Sequence, residues 1–446
     1  MEVPAGARTR GVALLVALLS LVSVAVGAET GARVLLEDTF VDNRNGWVED
    51  DNEAARFAVA SGAYTLEYKR ESGYWISTQP VELGQDDDFE IDAVIDRVRG
   101  GSDHRSGLVW GCRPEAPLSF SFFVVSADGV VSAGRQRGDH TVFVLKDVPY
   151  PRIQGDEGAL RLTVRRHGLA TALSVNGFRI GSILSEPPFG GDVGFYVRHP
   201  GGVCVRSLRV SATPVPGPTS LSSGAEERQP GPTSGETSGS ARAEYREADK
   251  ALGDRTRPAA ARVEKASGHA QRALERAPGD ARAHVVAARV ALAGGDRRGK
   301  GYDEESVQTK ALPLIEKALA LDPDSADARR TEAEIRLALR DSRTANLALA
   351  RSLELSPPRG LSFFLLGWYF RLTGRPDAAE KAWAQGIAAA ESVDERAALL
   401  ERVALQFLCD REIERATALL AASLALVPGC PDALRDLGDL QAAAGR

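Results

Sequence analysis

The sequence predicts a multidomain protein in which an N-terminal all-β jelly-roll sandwich precedes a C-terminal all-α solenoid of paired helices. Two patterns along the chain predict this division. From about residue 33 to 212, apolar and polar residues alternate with a period of two, which is typical of half-buried strands. From 241 to 446 the apolar period becomes helical and alanine becomes abundant. The length of 446 residues also exceeds that of one ordinary domain.

Residues 1–28 have the features of a secretory signal peptide. Arg8 and Arg10 precede an apolar run of 18 residues, Gly11–Ala28, which ends in small residues that suit signal peptidase. A run of this length can also span a bilayer, so a cleaved signal and a retained anchor both fit. We expect an exported protein of the periplasm, cell envelope or extracellular space, with no membrane span after signal cleavage.

Tight turns separate the predicted strands of the sandwich, residues 33–212. The strongest hairpin signal is Asn176-Gly177, because a type I′ turn needs positive φ at both of its central positions. Similar dipeptides stand at Ser61-Gly62 and Asp128-Gly129. About a dozen short strands with such turns, and no helical segment among them, predict two packed antiparallel sheets.

Residues 213–240 are rich in proline, glycine, serine and threonine. Such a segment cannot bury enough apolar surface to offset the entropy that it would lose on ordering. We therefore expect a flexible linker between the sandwich and the helical half.

Alanines mark an internal repeat in residues 241–446. Ala311, Ala345, Ala379 and Ala416 follow one another at spacings of 34, 34 and 37 residues. Ala266 precedes Ala311 by 45 residues, because about eleven extra residues interrupt the period within the segment GGDRRGKGYDEES.

This period of two helices resembles the tetratricopeptide repeat (TPR). The clearest copy is FFLLGWYFRLTGRPDAAEKAWAQG, residues 363–386. The positions that match the packing residues of the family are Phe363, Leu366, Gly367, Phe370, Ala379, Trp383 and Gly386. The resemblance implies a TPR solenoid of about four repeats, the first degenerate, plus a capping helix near residues 432–441.

The TPR resemblance also implies a groove for a protein or peptide, lined by the first helix of each repeat. In the clearest copy Phe364, Trp368 and Arg371 fall on a stripe separate from the packing residues. The matching positions in neighbouring repeats hold Arg330, Glu334 and Glu401. Aromatic residues with arginine are common at binding hot spots, so these six residues form the predicted partner-binding groove. The alternative is that Trp368 only packs between helices.

The stretch DFEIDAVID, residues 88–96, is the most acidic of the predicted strands. With a period of two, its apolar residues from Phe89 to Ile95 fall on one face. Glu90, Asp92 and Asp96 fall on the other. This pattern predicts a half-buried strand with a solvated acidic face.

The layout of the sandwich resembles the concanavalin A-like lectin/glucanase domains of bacterial exported proteins, including the 3-keto-disaccharide hydrolase-like domain. The segments that carry this resemblance are 37–47, 106–111, 159–181 and 190–210. The resemblance implies carbohydrate binding, with Phe40 and Trp47 packing where the first strand meets the last. The possible glycan-binding residues are Glu90, Asp92, Asp96 and Trp110. The alternative for Trp110 is a buried packing role.

Laminarinase-type enzymes of that architecture place their carboxylates on a strand reading E-x-D-x-E or E-x-D-x-x-E. Retaining glycosidases need two carboxyl groups about 5–5.5 Å apart. In this sequence the second glutamate position holds Val94 or Ile95, and Asp96 comes one residue too late. We therefore expect no enzymatic activity and no catalytic residue.

Other chemistry is not indicated. The six histidines form no metal-binding spacing, and the acids at 86–88 fit a solvated turn better than a calcium site, so we expect no metal and no cofactor. A net charge of −6 without a basic block gives no reason to expect nucleic-acid binding. Cys112 and Cys204 fit either a disulfide or two free thiols, whereas Cys409 and Cys430 should lie too far apart to pair.

The sequence therefore predicts an exported non-enzymatic adaptor that combines a carbohydrate-binding sandwich with a TPR array for a protein or peptide partner. Two alternatives remain at this point. One is a sugar-active, glycoside hydrolase-like enzyme using Glu90, Asp92 or Asp96, with the repeats as a docking arm. The other is a purely structural envelope protein.

Overall fold

The computed structural model describes residues 32–84, 86–96, 104–113, 117–126, 128–149, 159–198, 200–213 and 237–443. It confirms the predicted fold class, an N-terminal β-sandwich followed by a C-terminal helical array. The expected signal segment, residues 1–28, lies outside the described residues. So does most of the expected linker, although the first helix already begins at Thr237. None of the helices in the described ranges is both long enough and apolar enough to cross a membrane.

Short strands build the sandwich. They are β1 Arg33–Asp38, β2 Asp50–Asp51, β3 Ala55–Ala60, β4 Ala63–Tyr68, β5 Tyr74–Pro80, β6 Asp88–Ile95, β7 Arg105–Arg113, β8 Ser119–Ser126, β9 Val130–Arg137, β10 His140–Pro149, β11 Leu160–His167, β12 Ala170–Val175, β13 Phe178–Leu184, β14 Asp192–Arg198 and β15 Gly201–Thr213. One antiparallel sheet has the order β13-β12-β11-β6-β15-β4-β3-β2, with β1 also paired to β15. The other has the order β10-β9-β8-β7-β14-β5.

The predicted turns and strand faces recur in the structure. Asn176 and Gly177 both have positive φ and join β12 to β13 in a two-residue hairpin, as the I′ signal predicts. In β6 every second residue is buried, so the apolar face of the acidic strand packs into the core between the sheets. Phe40 and Trp47 are buried in that core next to the pairing of β1 with β15, which confirms their packing role.

Helices in consecutive antiparallel pairs build the second half. They are α1 Thr237–Gly253, α2 Ala259–Arg276, α3 Ala281–Gly294, α4 Glu304–Ser306, a π-helical turn Val307–Ala311, α5 Leu312–Leu321, α6 Ala326–Ala338, α7 Ser342–Leu355, α8 Gly360–Leu372, α9 Pro376–Ala388, α10 Val393–Cys409, α11 Ile413–Leu426 and α12 Pro431–Ala443. Since α4, the π turn and α5 are continuous, the described helices form five pairs and a final helix. This is one pair more than the four repeats expected, because α1 and α2 form a complete pair.

The repeat register follows the predicted alanines. All five of them are buried in the second helix of a pair, at Ala266, Ala311, Ala345, Ala379 and Ala416. The absence of a large side chain there lets the helices approach closely. Gly367 acts in the same way, since a Cβ at this position would collide with the indole of Trp383. That indole donates a hydrogen bond to the Phe364 carbonyl at 3.1 Å, which fixes α9 against α8.

Helix α7 packs against the sandwich along the side where strands β13 and β10 lie. Leu347 of α7 joins the core of the sandwich, and Leu184 of β13 joins the core of the helical array. Asn346 connects the halves through buried bonds: its Oδ1 accepts the Leu184 N–H at 2.9 Å, and its Nδ2 donates to the Tyr369 hydroxyl at 2.9 Å. Strand β13 is an edge strand of the nine-stranded sheet, and α7 covers it. An exposed strand edge could otherwise pair with another chain.

Charged contacts surround this interface. Arg343 donates from Nε to the Val144 carbonyl at 2.9 Å, and Arg375 pairs with Glu186 at 2.8 Å. The sandwich and the helical array are therefore in direct contact, whatever path the chain takes between Thr213 and Thr237.

We predict that Asn346→Ala lowers the free energy of unfolding by about 2 kcal/mol, because it leaves the buried Leu184 N–H without its acceptor. Thermal and denaturant unfolding of the full chain would measure the change. Lys381→Ala, an exposed substitution on α9, should leave stability almost unchanged. Equal stability of both variants would contradict the assigned interface.

Candidate functional site

A cleft of about 710 Å³ lies inside the helical array. The first helices of successive pairs line it, as the TPR resemblance implies for a groove. Five of the six predicted groove residues are among the lining residues, namely Glu334, Phe364, Trp368, Arg371 and Glu401. Arg330 is not among them, and it forms an ion pair with Asp327 at 3.2 Å on its own helix. The structure thus gathers the predicted stripe around one cavity, apart from Arg330.

Trp368 does not stand free in the cleft. It is only 6% exposed, and its ring stacks on Tyr302 at 5.7 Å between centroids and 19° between planes. Burial raises the pKa of the Tyr302 phenol well above its ordinary value, so the ring stays neutral. Neither the predicted groove face nor the alternative of helix packing describes Trp368 fully, because its partner belongs to a loop.

That loop is the predicted insertion between the two helices of the second pair, and we call residues 295–303 the insertion loop. Asp296 and Tyr302 face each other as an isolated β-bridge, and the Arg297 N–H donates to the Gly301 carbonyl at 2.9 Å. At its tip, a Cβ on Gly299 would lie 3.0 Å from the Leu408 side chain. The insertion loop therefore extends from α3 to α10 and forms one wall of the cleft.

Three acids from α10 and α12 form a group beside the cleft, which we call the acidic cluster: Glu401, which lines the cleft, together with Asp432 and Asp436, which do not. The side chains of Glu401 and Asp432 are only 5% and 1% exposed. A buried carboxylate is costly unless it is paired, and all three pair with arginines from the N-terminal part of the array.

The arginines that reach the acidic cluster are Arg255, Arg262 and Arg298. Arg262 pairs with Asp432 at 2.7 Å, and Arg298 pairs with Asp436 at 2.6 Å. Arg255 and Arg298 both donate to Glu401. These bonds link the α1–α2 pair and the insertion loop to the last helices, so the array closes around its cleft.

The electrostatics of Asp432 follow from this closure. Burial works to raise the pKa of its carboxyl, but the Ala259 N–H and the guanidinium groups of Arg298 and Arg262 outweigh it. The pKa of Asp432 therefore lies below its ordinary value, and the carboxylate stays charged at neutral pH.

Charged neighbours contact three of the predicted groove residues, Glu334, Phe364 and Arg371. Arg402, which the sequence did not single out, forms an ion pair with Glu334 and lies over the Phe364 ring at 4.4 Å. Arg371 pairs with Asp410 at 2.6 Å and with Glu412. The spacing of the repeats could have indicated Arg402, since it follows Glu401. The only signal for Arg298 was the arginine-rich insertion itself, because this insertion interrupts the 34-residue period of the repeats.

The possible glycan-binding residues do not converge. Glu90 pairs with Arg165 at 2.5 Å, Asp92 with Arg161 at 2.8 Å, and Asp96 with Arg206 at 2.7 Å. These pairs lie on the outer face of the nine-stranded sheet, where β6 is flanked by β11 and β15.

Trp110, the fourth possible glycan-binding residue, is only 6% exposed and belongs to the core between the sheets. It also borders a small cavity of about 30 Å³. The buried packing role that the sequence offered as the alternative fits this position. A single glycan site built from all four residues is therefore not present in the described part of the sandwich.

An aromatic cluster that the sequence analysis missed lies on the outer face of the six-stranded sheet. We call it the aromatic face, and its members are Tyr74, Phe120, Phe122, Phe143 and Tyr196. Tyr74 stacks on Tyr196 at 5.3 Å, and Phe122 meets Phe143 edge to face at 5.6 Å. Burial raises the pKa of the Tyr196 phenol. The signal for this cluster was the run SFSFFVV, in which both strand faces are apolar.

Cysteine and metal chemistry add little in the described residues. All four cysteines are free, with Cys112 and Cys430 buried and Cys409 exposed. Among the residues with described positions, no group of three or more histidine, cysteine, aspartate or glutamate side chains could hold a metal ion.

No protein-family model matches this chain, and no curated protein matches it either. Solved structures show local likenesses to each half. A carbohydrate-binding module from Bacillus subtilis is 15% identical, covering 37% of this chain and 96% of that one, at a TM-score of 0.29. A beta-glucanase from Bacillus licheniformis is 10% identical, covering 40% and 97%, at 0.30.

A thermophilic TPR protein from Thermus thermophilus is similar to the helical half. It is 20% identical, covering 46% of this chain and 98% of that one, at a TM-score of 0.34. At TM-scores of this size, the three likenesses carry no inference about what this chain binds.

We predict unequal losses of stability for neighbouring substitutions in β6. Ile91→Ala should lower the free energy of unfolding by about 2–5 kcal/mol, because it leaves a cavity in the core. Asp92→Asn should lower it by less than about 1 kcal/mol, because its partner Arg161 is mostly exposed to solvent. Denaturant unfolding of the full chain would measure both. A larger loss for Asp92→Asn would contradict the assignment of the two faces.

Proposed function

We propose that this chain is an exported, non-enzymatic adaptor whose helical array receives a peptide segment of a protein partner. The observation that supports this proposal is the cleft lined by Glu334, Phe364, Trp368, Arg371 and Glu401. A volume of about 710 Å³ falls within the range of about 300–1,000 Å³ that is usual for ligand pockets. It can accept several side chains of a peptide but not a folded domain.

The chemistry of the cleft suits a peptide better than a small apolar ligand. Its wall combines aromatic rings with both acidic and basic side chains, including Asp249, Arg289 and Arg340. Such a mixed lining can contact peptide side chains of either charge while aromatic rings provide apolar area. The contact between α7 and the sandwich joins the two halves of the adaptor. A partner bound in the cleft is therefore held at a fixed distance from the sandwich.

We predict that peptides selected from a displayed random library against the full chain bind in the cleft. Ala398→Trp adds bulk to the half-buried wall of the cleft, and it should weaken the binding of such peptides roughly 30-fold, which corresponds to about 2 kcal/mol. Trp368→Ala should have a similar effect, because it removes an aromatic ring that lines the cleft. Fluorescence anisotropy with labelled peptides would measure the affinities.

The matched control is Lys381→Ala, on the exposed side of α9, which should bind as the wild type does. Circular dichroism would establish that each variant keeps its helical content. Peptides that bind equally well to wild type and to Ala398→Trp would contradict the proposed site, as would a library that yields none.

Glycan binding by the sandwich is a second candidate function, and the aromatic face supports it. Tyr74 and Phe143 are its half-buried members, and aromatic rings can stack on the apolar faces of sugars. Glu90, Asp92 and Asp96 are less suited to this role, because each already pairs with an arginine. The same pairing disfavours the enzymatic alternative, in which one of the acids has to donate a proton.

We predict that Tyr74→Ala weakens retention by a soluble polysaccharide about five- to ten-fold, whereas Asp92→Asn leaves it unchanged. Affinity gel electrophoresis over a panel of polysaccharides would measure retention, and a reducing-sugar assay would measure release. Sugar release that disappears in Asp92→Asn would support the enzyme instead. No retention of the wild type on any polysaccharide would remove this second function and leave the peptide cleft as it stands.

A further inference from the structure

The insertion loop forms one wall of the cleft and contacts neighbouring walls through two side chains. Its Arg298 bonds to Asp436 at 2.6 Å and also to Glu401, so one side chain serves two members of the acidic cluster. Four residues later, Tyr302 stacks on Trp368 at 5.7 Å. One short segment therefore places a guanidinium on acids and an aromatic ring on an aromatic ring, which is how a bound peptide would use such a surface.

The contacts of the insertion loop are ones that another segment can replace. Arg255 and Arg262 belong to the first helix pair and its connection, and their bonds to Glu401 and Asp432 do not involve the loop. Asp436 depends mainly on Arg298, since its other arginine contact, Arg435, is at 3.6 Å. An incoming arginine would thus find an acid that the departure of the loop leaves short of a partner.

One residue of the insertion loop has a costly backbone conformation. Arg298 has a φ of 39°, in the left-handed region that non-glycine residues rarely adopt. Gly299 and Gly301, at φ 75° and 84°, allow the chain to turn at this point. The contacts of Arg298 and Tyr302 accompany this conformation.

We propose that the insertion loop is an intramolecular occupant of the cleft, and that the partner segment that displaces it presents an arginine followed four residues later by an aromatic residue. This inference rests on the proposed peptide-binding function and specifies the partner. Because the loop is tethered, its effective concentration at the cleft is high, and the partner has to compete with it. The loop thereby sets a threshold for partner binding and rejects segments that lack either side chain.

The test uses the loop as its own probe. The peptide Gly-Asp-Arg-Arg-Gly-Lys-Gly-Tyr-Asp, which is the sequence of residues 295–303, would be labelled and titrated with the full chain. We expect it to bind the double variant Arg298→Ala with Tyr302→Ala at least ten-fold more tightly than it binds wild type. The reason is that the variant loop no longer competes for the acidic cluster and for Trp368.

Two matched controls define the specificity. A peptide with alanine in place of its second arginine and of its tyrosine should lose binding to the double variant. Lys310→Ala removes one positive charge from the π-helical turn that follows the loop, at an exposed position that does not line the cleft, so it should behave as wild type does. Equal binding of the peptide to wild type and to the double variant, or binding to neither, would overturn the proposal.

Hydrogen exchange on the wild-type chain keeps the test independent of whether the double variant folds. Excess peptide should speed exchange of the Arg297 amide, which donates to Gly301 within the loop, and the altered peptide should not. Unchanged exchange at saturating peptide would mean that the insertion loop is a fixed part of the wall. If library peptides bind in the cleft while both loop experiments fail, the proposed function stands and this inference does not.

Discussion

Close packing of paired helices at small residues is the constraint on which the helical half depends. A buried alanine in the second helix of each pair, and Gly367 against Trp383, set the distance at which neighbouring helices lie. Repeating that geometry along the array turns it far enough to bring the α1–α2 pair next to α12. The acidic cluster and the cleft both result from this accumulated turn, because neither of them is formed within a single pair.

Closure of the array depends on buried charge. Glu401 and Asp432 would be costly inside a protein without partners, and their arginines come from residues more than 100 positions earlier in the chain. Such pairs contribute little net stability compared with apolar packing, but removing one partner leaves an uncompensated charge. These ion pairs therefore favour the closed array. In an open array the same acids would lose their arginine partners and would have to be hydrated or protonated. The insertion loop belongs to the same network through Arg298, which is why a loop of few residues can control access to the cleft.

In the sandwich, the strands next to β6 supply the partners of its acidic side chains. Taken alone, residues 88–96 resemble part of a glycosidase signature. In the sheet, β6 lies between β11 and β15, and these strands place arginines opposite its acids. Cross-strand pairing of opposite charges is ordinary on a solvated sheet face, and it gives the acids of β6 partners within the sheet. The aromatic side chains on the other sheet are the more distinctive surface, because five rings gather there and two of them, Tyr74 and Phe143, are only half-buried.

The sequence by itself determined the two halves, the apolar face of β6, the I′ turn at Asn176-Gly177 and the register of the repeats. Each of these depends on residues close together in the chain, where periodicity and turn chemistry act directly. It also placed Phe364, Trp368 and Glu401 on one stripe, because matching positions in successive repeats have the same local geometry. Only the tertiary structure decided what those residues touch. The stacking of Tyr302 on Trp368, the arginines on the acidic cluster and the bonds of Asn346 join segments far apart in sequence, and a local pattern contains no information about such distant partners.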